Sequence, residues 1–497
     1  MEYLPFREND FPMPSRGSMI STRPRRVLSR ALTALVLLGA TPEAEKLTER
    51  EALIRALEAH TEIQLLRIDK LSDSLQLTGA RAGWQPAVTL GADLRSTSTD
   101  TFFVPRTAGR DTAAASAGVS QKIPGGGTIS GEVAEEVDLS SNNAGKHAAA
   151  WEVAYRQPLL KDAWRFGEQD MLLRIARLDS RKVDLRVVKE LLAELTVVRL
   201  AYWKWYEQYA LREILTRERD LALNRLEQER ARYLLGEASE LDTLSASLEY
   251  LESTSRLMNA SYELDAAGRD VALLLNIEQD TLVPDTGRAI RTDELPPSEE
   301  LVERVERFDP ELKIFAVLQE KLRLEEEELA NNLLPSVALA LKHRASSRDR
   351  DRPLSTDEHR FGSSSIGVSA AYTIPATAER IAVHSKRLEA RRNELSREHY
   401  RRELLSRLTD TRKQWRRDRT NLVVARKAEE VARKKLEAAR RGYELGTVDR
   451  LSLIEARNDA TRTSVSRLQK EIALKNIEIV FDEITGDVFD TFGLEWE

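Results

Sequence analysis

His60, His147, His343, His359, His384 and His399 are the first candidates for metal or acid–base chemistry. None stands in the HExxH spacing that puts two imidazoles on one helical face, and no Cys/His ligand set exists. Gly125-Gly126-Gly127 could cradle a phosphate, but no lysine follows and the next residues alternate like a strand. Glu325 and Glu328 could act as a general acid and base, yet they lie in a charged run that reads as a solvated helix face. The chain has no cysteine, which removes thiol catalysis, disulfides, thiolate metal sites and a lipid anchor on an N-terminal cysteine. No catalytic residue, metal or cofactor is expected, and the chain does not read as an enzyme.

The elements around these residues are helical and long. Charged residues make up 32% and aromatics 6%, and runs rich in Ala, Glu, Leu, Arg and Lys recur, the signature of long packed helices. A net charge of −6 over 497 residues, with arginine interleaved with glutamate, argues against a nucleic-acid partner.

The N-terminus has the pattern of an export signal. Arg23, Arg25, Arg26 and Arg30 precede a short apolar run, Ala31–Ala40. Residues 1–44 are therefore read as an export signal and N-terminal tail, with cleavage near Ala44 and Met19 as a possible start. That run is too short to span a bilayer as a helix, which needs roughly 20 residues. Membrane insertion, if any, must use strands.

From residue 45 the chain is one unit used twice. A helix begins at Thr48, whose Glu51 three residues on completes a capping box, and runs to about Leu77. Residues 86–158 then change to period two: Val88, Leu90, Ala92 and Leu94 alternate with Thr89, Gly91, Asp93 and Arg95. Further alternation over Ala115–Ile123, Ile129–Val137 and Trp151–Tyr155 gives up to four strands, with Ser98–Asp111 read as a polar loop. Alternating segments of about ten residues separated by turns are the weak signature of a transmembrane β-barrel, and equally of an ordinary half-buried sheet. A long helix is expected over 162–235, with Leu195, Val198, Tyr202, Trp205 and Tyr209 as an a/d seam. A tip turn at Gly236 and a helix over 240–275 complete the first unit, 45–275.

A loop, 276–297, leads to the second unit, 298–485, interrupted early at Asp309-Pro310. It repeats the order: helix, strands over about 335–375, long helix 378–445, turn at Gly446, helix 449–485, then a tail, 486–497. The offsets are constant. Pro335 lies 335 − 86 = 249 after Pro86, and Gly446 lies 446 − 236 = 210 after Gly236. Tyr233, Leu235, Leu241 and Ala246 likewise match Tyr443, Leu445, Leu451 and Ala456 at 210. A long helix of about 70 residues, roughly 105 Å at 1.5 Å per residue, matches two shorter ones stacked end to end.

The repeated Tyr-x-x-Gly turn followed by Leu-x-x-Leu/Ile-x-Ala, and the element order given twice, resemble the TolC-like outer-membrane factor family. The resemblance covers about residues 47–486 and is most specific over Gly442–Gly486. It implies a mainly α chain with membrane β: a long α-helical coiled-coil barrel plus β-barrel strands shared in a homotrimer, in two tandem structural repeats. It implies a cell outer membrane location, with the helical part in the periplasm, and contact with outer-membrane lipid. The function implied is the exit duct of a tripartite efflux pump or a type I secretion system. Partners would be a periplasmic adaptor (membrane fusion) protein and an inner-membrane transporter of RND, ABC or MFS type.

The same resemblance assigns residues. Adaptor docking falls on Leu235, Gly236, Glu237, Leu445, Gly446 and Thr447, flanked by Arg232 and Arg441. Tyr443 matches a gate tyrosine and Asp242 its acidic partner; Glu455 falls on a pore-lining acidic position. Ser452 stands where the other acidic ring is usual. The long first β region also departs from the pattern: either the barrel exceeds twelve strands, or the Gly118–Asp138 hairpin decorates a rim. Four barrel strands per protomer are the expectation. The competing reading is a periplasmic coiled-coil scaffold or adaptor with no channel, but an adaptor would carry one helical hairpin, not two.

Overall fold

The computed structural model describes residues 45–101, 104–139, 146–278, 282–285, 297–349 and 361–493. The proposed export signal lies outside these residues.

The first helical segment is two helices, α1 (Glu49–Ala59) and α2 (Thr61–Ala82), not one helix to Leu77. Thr48 and Glu51 make the capping box. The break is His60, whose ring nitrogen accepts from the Glu62 N–H and caps α2. The second unit breaks alike between α5 (Ser298–Phe308) and α6 (Pro310–Asn331), where Asp309 caps through the Leu312 N–H at 2.7 Å. The two breaks are equivalent by the same offset, 309 − 60 = 249. Only the second carried a proline to announce it. α2 also runs through Gly79, because no bond or packing demand stops it there.

The two halves of the wall meet at a parallel pair the sequence did not suggest, β1 (Glu45–Leu47) with β6 (Leu282–Pro284). Around it lies the main core, where Leu53, Ile63, Leu191, Leu195 and Ile479 are buried. The a/d seam reads as expected for Leu195, Val198, Tyr202 and Trp205, which are buried, while Tyr209 is half-buried. The Tyr202 hydroxyl donates to the Leu47 carbonyl at 2.9 Å, fixing β1 onto the long helix.

Beside this core sits a buried charge network. Arg199 donates to Glu49 at 2.8 Å and pairs with Asp482 at 2.9 Å; Lys475 stands 3.9 Å from Glu49. Arg199 is only 2% exposed, so each charge is stabilised by its partners rather than by water. Burial pushes the Asp482 carboxyl above its usual range, opposed by Arg199. The residues come from both units, so the network joins them.

The long helices are α3 (Glu168–Leu234) and α7 (Thr377–Glu444), of 67 and 68 residues. α3 starts six residues later than the periodicity suggested, because Asp162 and Trp164 take positive φ and form a strap before it. α4 (Glu240–Leu275) and α8 (Arg450–Thr485), each 36 residues, return alongside them. Helices pack in the order α2–α3–α6–α7 toward the sheet and α4–α3–α8–α7 toward the turns. The C-terminal tail contains a helix, α9 (Asp487–Phe492), whose Val488 and Phe492 enter the main core.

The strands are β2 (Ala87–Thr101), β3 (Val104–Ile123), β4 (Gly127–Asp138), β5 (Lys146–Pro158), β7 (Ser336–Asp349) and β8 (Phe361–Ala371). They form one antiparallel sheet in the order β2-β3-β4-β5-β7-β8. The sheet of one chain has six strands, two more than the four barrel strands expected per protomer. Ser98–Asp111, read as a polar loop, is mostly paired strand, with Ser98 opposite Gly109. Its Ser, Thr and Arg residues suit a solvated strand as well as a loop, and only cross-strand pairing decides between them. The loops 140–145 and 350–360 lie outside the described residues.

Cross-strand register shows what each face carries, because directly opposed residues share a face. One row reads Leu90, Ala117, Val133, Trp151 and Ala345; the next on that face reads Val88, Val119, Gly131, Val153 and His343. The other face reads Thr89, Gly118, Glu132, Glu152 and Arg344. On it Lys342 pairs with Glu152 at 2.7 Å. Val88, Leu90 and Leu94 are exposed, Leu90 by 82%. Among the described residues no helix is long and apolar enough to cross a membrane.

Candidate functional site

Both reversals between long and returning helices are Schellman turns. In the first, the Gly236 N–H bonds the Tyr233 carbonyl at 3.0 Å and the Glu237 N–H bonds Arg232 at 2.8 Å. In the second, Gly446 bonds Tyr443 at 3.1 Å and Thr447 bonds Gly442 at 2.8 Å. The glycines have φ of +76° and +73°, a region that costs an ordinary L-residue about 1–2 kcal/mol. Nothing lies within 4 Å of a Cβ built on either one, so backbone conformation alone demands glycine.

The turn surface is apolar and bare. Leu234, Leu235 and Leu445 are 84%, 74% and 78% exposed. Glu237, Arg441 and Thr447 are exposed beside them, and Arg232 is half-buried, 3.9 Å from Glu229. The structure therefore gathers Leu235, Gly236 and Glu237 at one turn and Leu445, Gly446 and Thr447 at its twin.

Helix restart uses the same two residue types in opposite order. α4 opens with Ser239 as N-cap and Asp242 three residues on; the Asp242 carboxylate accepts the Ser239 N–H at 3.1 Å and hydroxyl at 2.7 Å. α8 opens with Asp449 as N-cap and Ser452 three residues on, and the Ser452 hydroxyl donates to the Asp449 carboxylate. The offsets agree, 449 − 239 = 210 and 452 − 242 = 210. Ser452 thus bonds the N-cap residue Asp449, three residues earlier, whose side chain caps no backbone N–H of α8.

Asp242 also accepts from Arg450 Nη1 at 2.8 Å, across from α8. Arg450 Nη2 lies 3.1 Å from the buried Glu229 of α3, an ion pair without hydrogen-bond alignment. One heptad further, Arg457 stands 3.8 Å from Glu249, which also pairs with Arg225. The bonds from Ser239, then the charges of Arg450 and Arg232, hold the Asp242 carboxyl below its usual range. Burial is the main cause lowering the Arg457 guanidinium, opposed by Glu249.

Of the gate residues singled out from the sequence, Asp242 is engaged, but by Arg450; no hydrogen bond to it from Tyr443 is seen. Tyr443 is 36% exposed on the second turn, and Glu455 and Ser452 are exposed on α8. Arg450 was missed. Its signal was available: the residue 210 earlier is Glu240, so this is a charge reversal within an otherwise matched pair of motifs.

A two-unit helical wall with paired turns at one end, carrying a sheet with an apolar and a polar face, is the fold of outer-membrane channels. CusC superposes with a TM-score of 0.68 at 13% identity, over 91% of this chain and 95% of that one. VceC of Vibrio cholerae gives 0.65 at 11%, over 88% and 96%. The CmeC outer membrane channel of Campylobacter jejuni gives 0.65 at 12%, over 91% and 90%. Residues 309–486 match the family described as Outer membrane efflux protein. The family's sequence is thus matched over most of the second unit, and the whole described chain shares the fold of these channels. No curated protein sequence matches it.

Proposed function

We propose that three copies of this chain form a channel in the outer membrane, the exit duct of a tripartite efflux pump or type I secretion system. The observation that carries this is a set of open edges. The sheet ends at β2 and β8, each with an unpaired row of backbone groups, which lipid does not tolerate. The helical layers end at α2 and α4 on one side and α7 on the other. Those edges are apolar at heptad spacing: Leu241, Leu244, Leu248, Leu251, Met258 and Tyr262 on α4 are all exposed. Ile381, Leu388 and Leu395, seven apart, are exposed on α7. β8 leads into α7 and α2 leads into β2, so one head-to-tail contact covers every edge, and a cyclic ring closes it.

In this duct the sheet lies in the outer membrane, apolar face to lipid, and the helices reach into the periplasm. The two turns of each chain form the tip. Leu235, Gly236, Glu237, Leu445, Gly446 and Thr447, with Arg232 and Arg441, dock a periplasmic adaptor that couples the duct to an inner-membrane transporter. The pore end is held closed by Arg450 clasping Asp242 and Glu229 across the two units. Tyr443, Ser452 and Glu455 line the same end, and three copies of Glu455 around an axis favour cations.

The test is the purified full chain in lipid. A sodium dodecyl sulfate-resistant trimer with single-channel conductance is expected, and a soluble monomer without conductance overturns the reading. Replacing Gly446 by a bulky residue should abolish export while the trimer persists; loss of the trimer itself would remove the docking role.

A further inference from the structure

We propose that the β3–β4 hairpin is part of the membrane wall, so that the trimer closes a wide barrel of eighteen strands, three times the six of each chain. This rests on the trimeric channel reading above.

Three observations carry it. The hairpin is paired on both flanks and not hung from one. β3 pairs with β2 from Ala87–Ser120 through Thr99–Ala108, and β4 pairs with β5 from Thr128–Arg156 through Asp138–Lys146. Removing it would leave β2 without a partner in the sheet and β5 paired on one side only, with β7. Secondly, it keeps the alternation of its neighbours. Val119, Ile129 and Val133 stand exposed on the apolar face with Val88, Leu90 and Val153, while Ser116, Ala134 and Glu132 continue the small and polar face. A rim decoration wet on both sides has no reason to hold that register. Polar residues of the hairpin on the apolar face are Glu135, paired with His147 at 2.8 Å, and Gln121 and Asp111, which lie toward the two ends of the β3–β4 pairing.

The third observation is an anchor. The turn joining β3 to β4 is locked onto the strap before α3. The Trp164 N–H donates to the Gly125 carbonyl at 2.9 Å, Gln157 donates to the same oxygen at 2.8 Å, and the Gly125 N–H donates to Asp170 at 3.2 Å. A Cβ on Gly126 would meet the Asp162 carbonyl at 2.3 Å, and one on Gly167 the Gly126 nitrogen at 2.7 Å. Two backbones thus approach as closely as glycine permits, tying the hairpin to the top of the helical wall.

The consequence is size and charge at the exit. At about 4.8 Å between strands and a tilt of about 40°, eighteen strands give a backbone diameter of about 36 Å, against about 24 Å for twelve. The lumen is lined by Glu132, Glu152, Lys342 and Arg344. Glu132 and Glu152 are directly opposed, a repulsion relieved by Lys342 on Glu152. The outer end therefore does not sieve cargo, and selection by size falls to the tip.

The absence of cysteine makes the test clean. Val133→Cys and Ala134→Cys are adjacent on β4 and face opposite ways. In trimer reconstituted into lipid, a membrane-impermeant maleimide should label Ala134→Cys and spare Val133→Cys by at least tenfold in rate. Equal labelling of both in an intact trimer overturns the eighteen-strand wall while the channel reading stands. Electron microscopy of the unmodified trimer in lipid discs gives a second measure: a barrel near the wider diameter supports the proposal, and one near the narrower overturns it. Failure to form any trimer overturns both readings, and the oligomer band separates that outcome from the others.

Discussion

The turns at Gly236 and Gly446 share a backbone and differ in charge. Both are Schellman turns with a tyrosine three residues before the glycine, and both restart a helix three residues after it. Yet Ser239 and Asp242 in the first become Asp449 and Ser452 in the second, and Glu240 becomes Arg450. The first start keeps a full capping box, with Ser239 accepting the Asp242 N–H, whereas at the second the Asp449 carboxylate accepts the Ser452 hydroxyl and caps no backbone N–H. What the exchange frees is the direction of the acid. Asp242, inside the first turn of α4, reaches Arg450; Asp449, outside α8, bonds only its own helix start. A duplicated motif has kept its fold and divided its charges so that one copy clasps the other.

The largest way to break the relation between the units lies far from the turns. Arg199→Met removes the cation that Glu49 and Asp482 share, leaving the two buried acids without their shortest ion pairs. Unfolding free energy should fall by about 3–5 kcal/mol, read by chemical denaturation of the purified protein. Gly446→Val and Gly236→Val come next, at about 1–2 kcal/mol each from the positive φ alone. Comparable loss of thermal stability in both is expected; a loss at only one turn would mean the backbones are less equivalent than their bonds indicate. Arg450→Ala should cost less stability than the Arg199 variant but should raise closed-state conductance. Glu240→Ala, its counterpart, should leave conductance unchanged.

The sharpest variant is the exchange Ser239→Asp with Asp242→Ser. It gives the first turn the residue order of the second, so helix stability should fall by no more than the loss of one capping box. Conductance should nonetheless rise as in Arg450→Ala, since Arg450 then faces a serine. The pH dependence has a defined sign. Asp242 titrates below the ordinary range, so its clasp is complete at neutral pH and is lost only as pH falls. Conductance should stay level through the ordinary carboxylate range and rise only at more acidic pH.

The sequence by itself determined the repeat, the two glycine turns and the long helices. Each rests on local rules: constant offsets, a residue with positive φ, and a helical period sustained for about 70 residues. It also determined that strands alternate in two regions. It did not determine that Ser98–Asp111 is strand, because serine and threonine suit a polar loop and a solvated strand equally. Nor did it show that His60 breaks a helix, since the cap there is a ring nitrogen and no proline marks the site. Only the tertiary structure decided that six strands form one sheet, that β1 meets β6 across the units, and that Asp242 belongs to Arg450. These are contacts between residues far apart in sequence, 282 − 45 = 237 positions at Glu45 and Leu282, and no local pattern encodes which distant partner a strand edge or a carboxylate will meet.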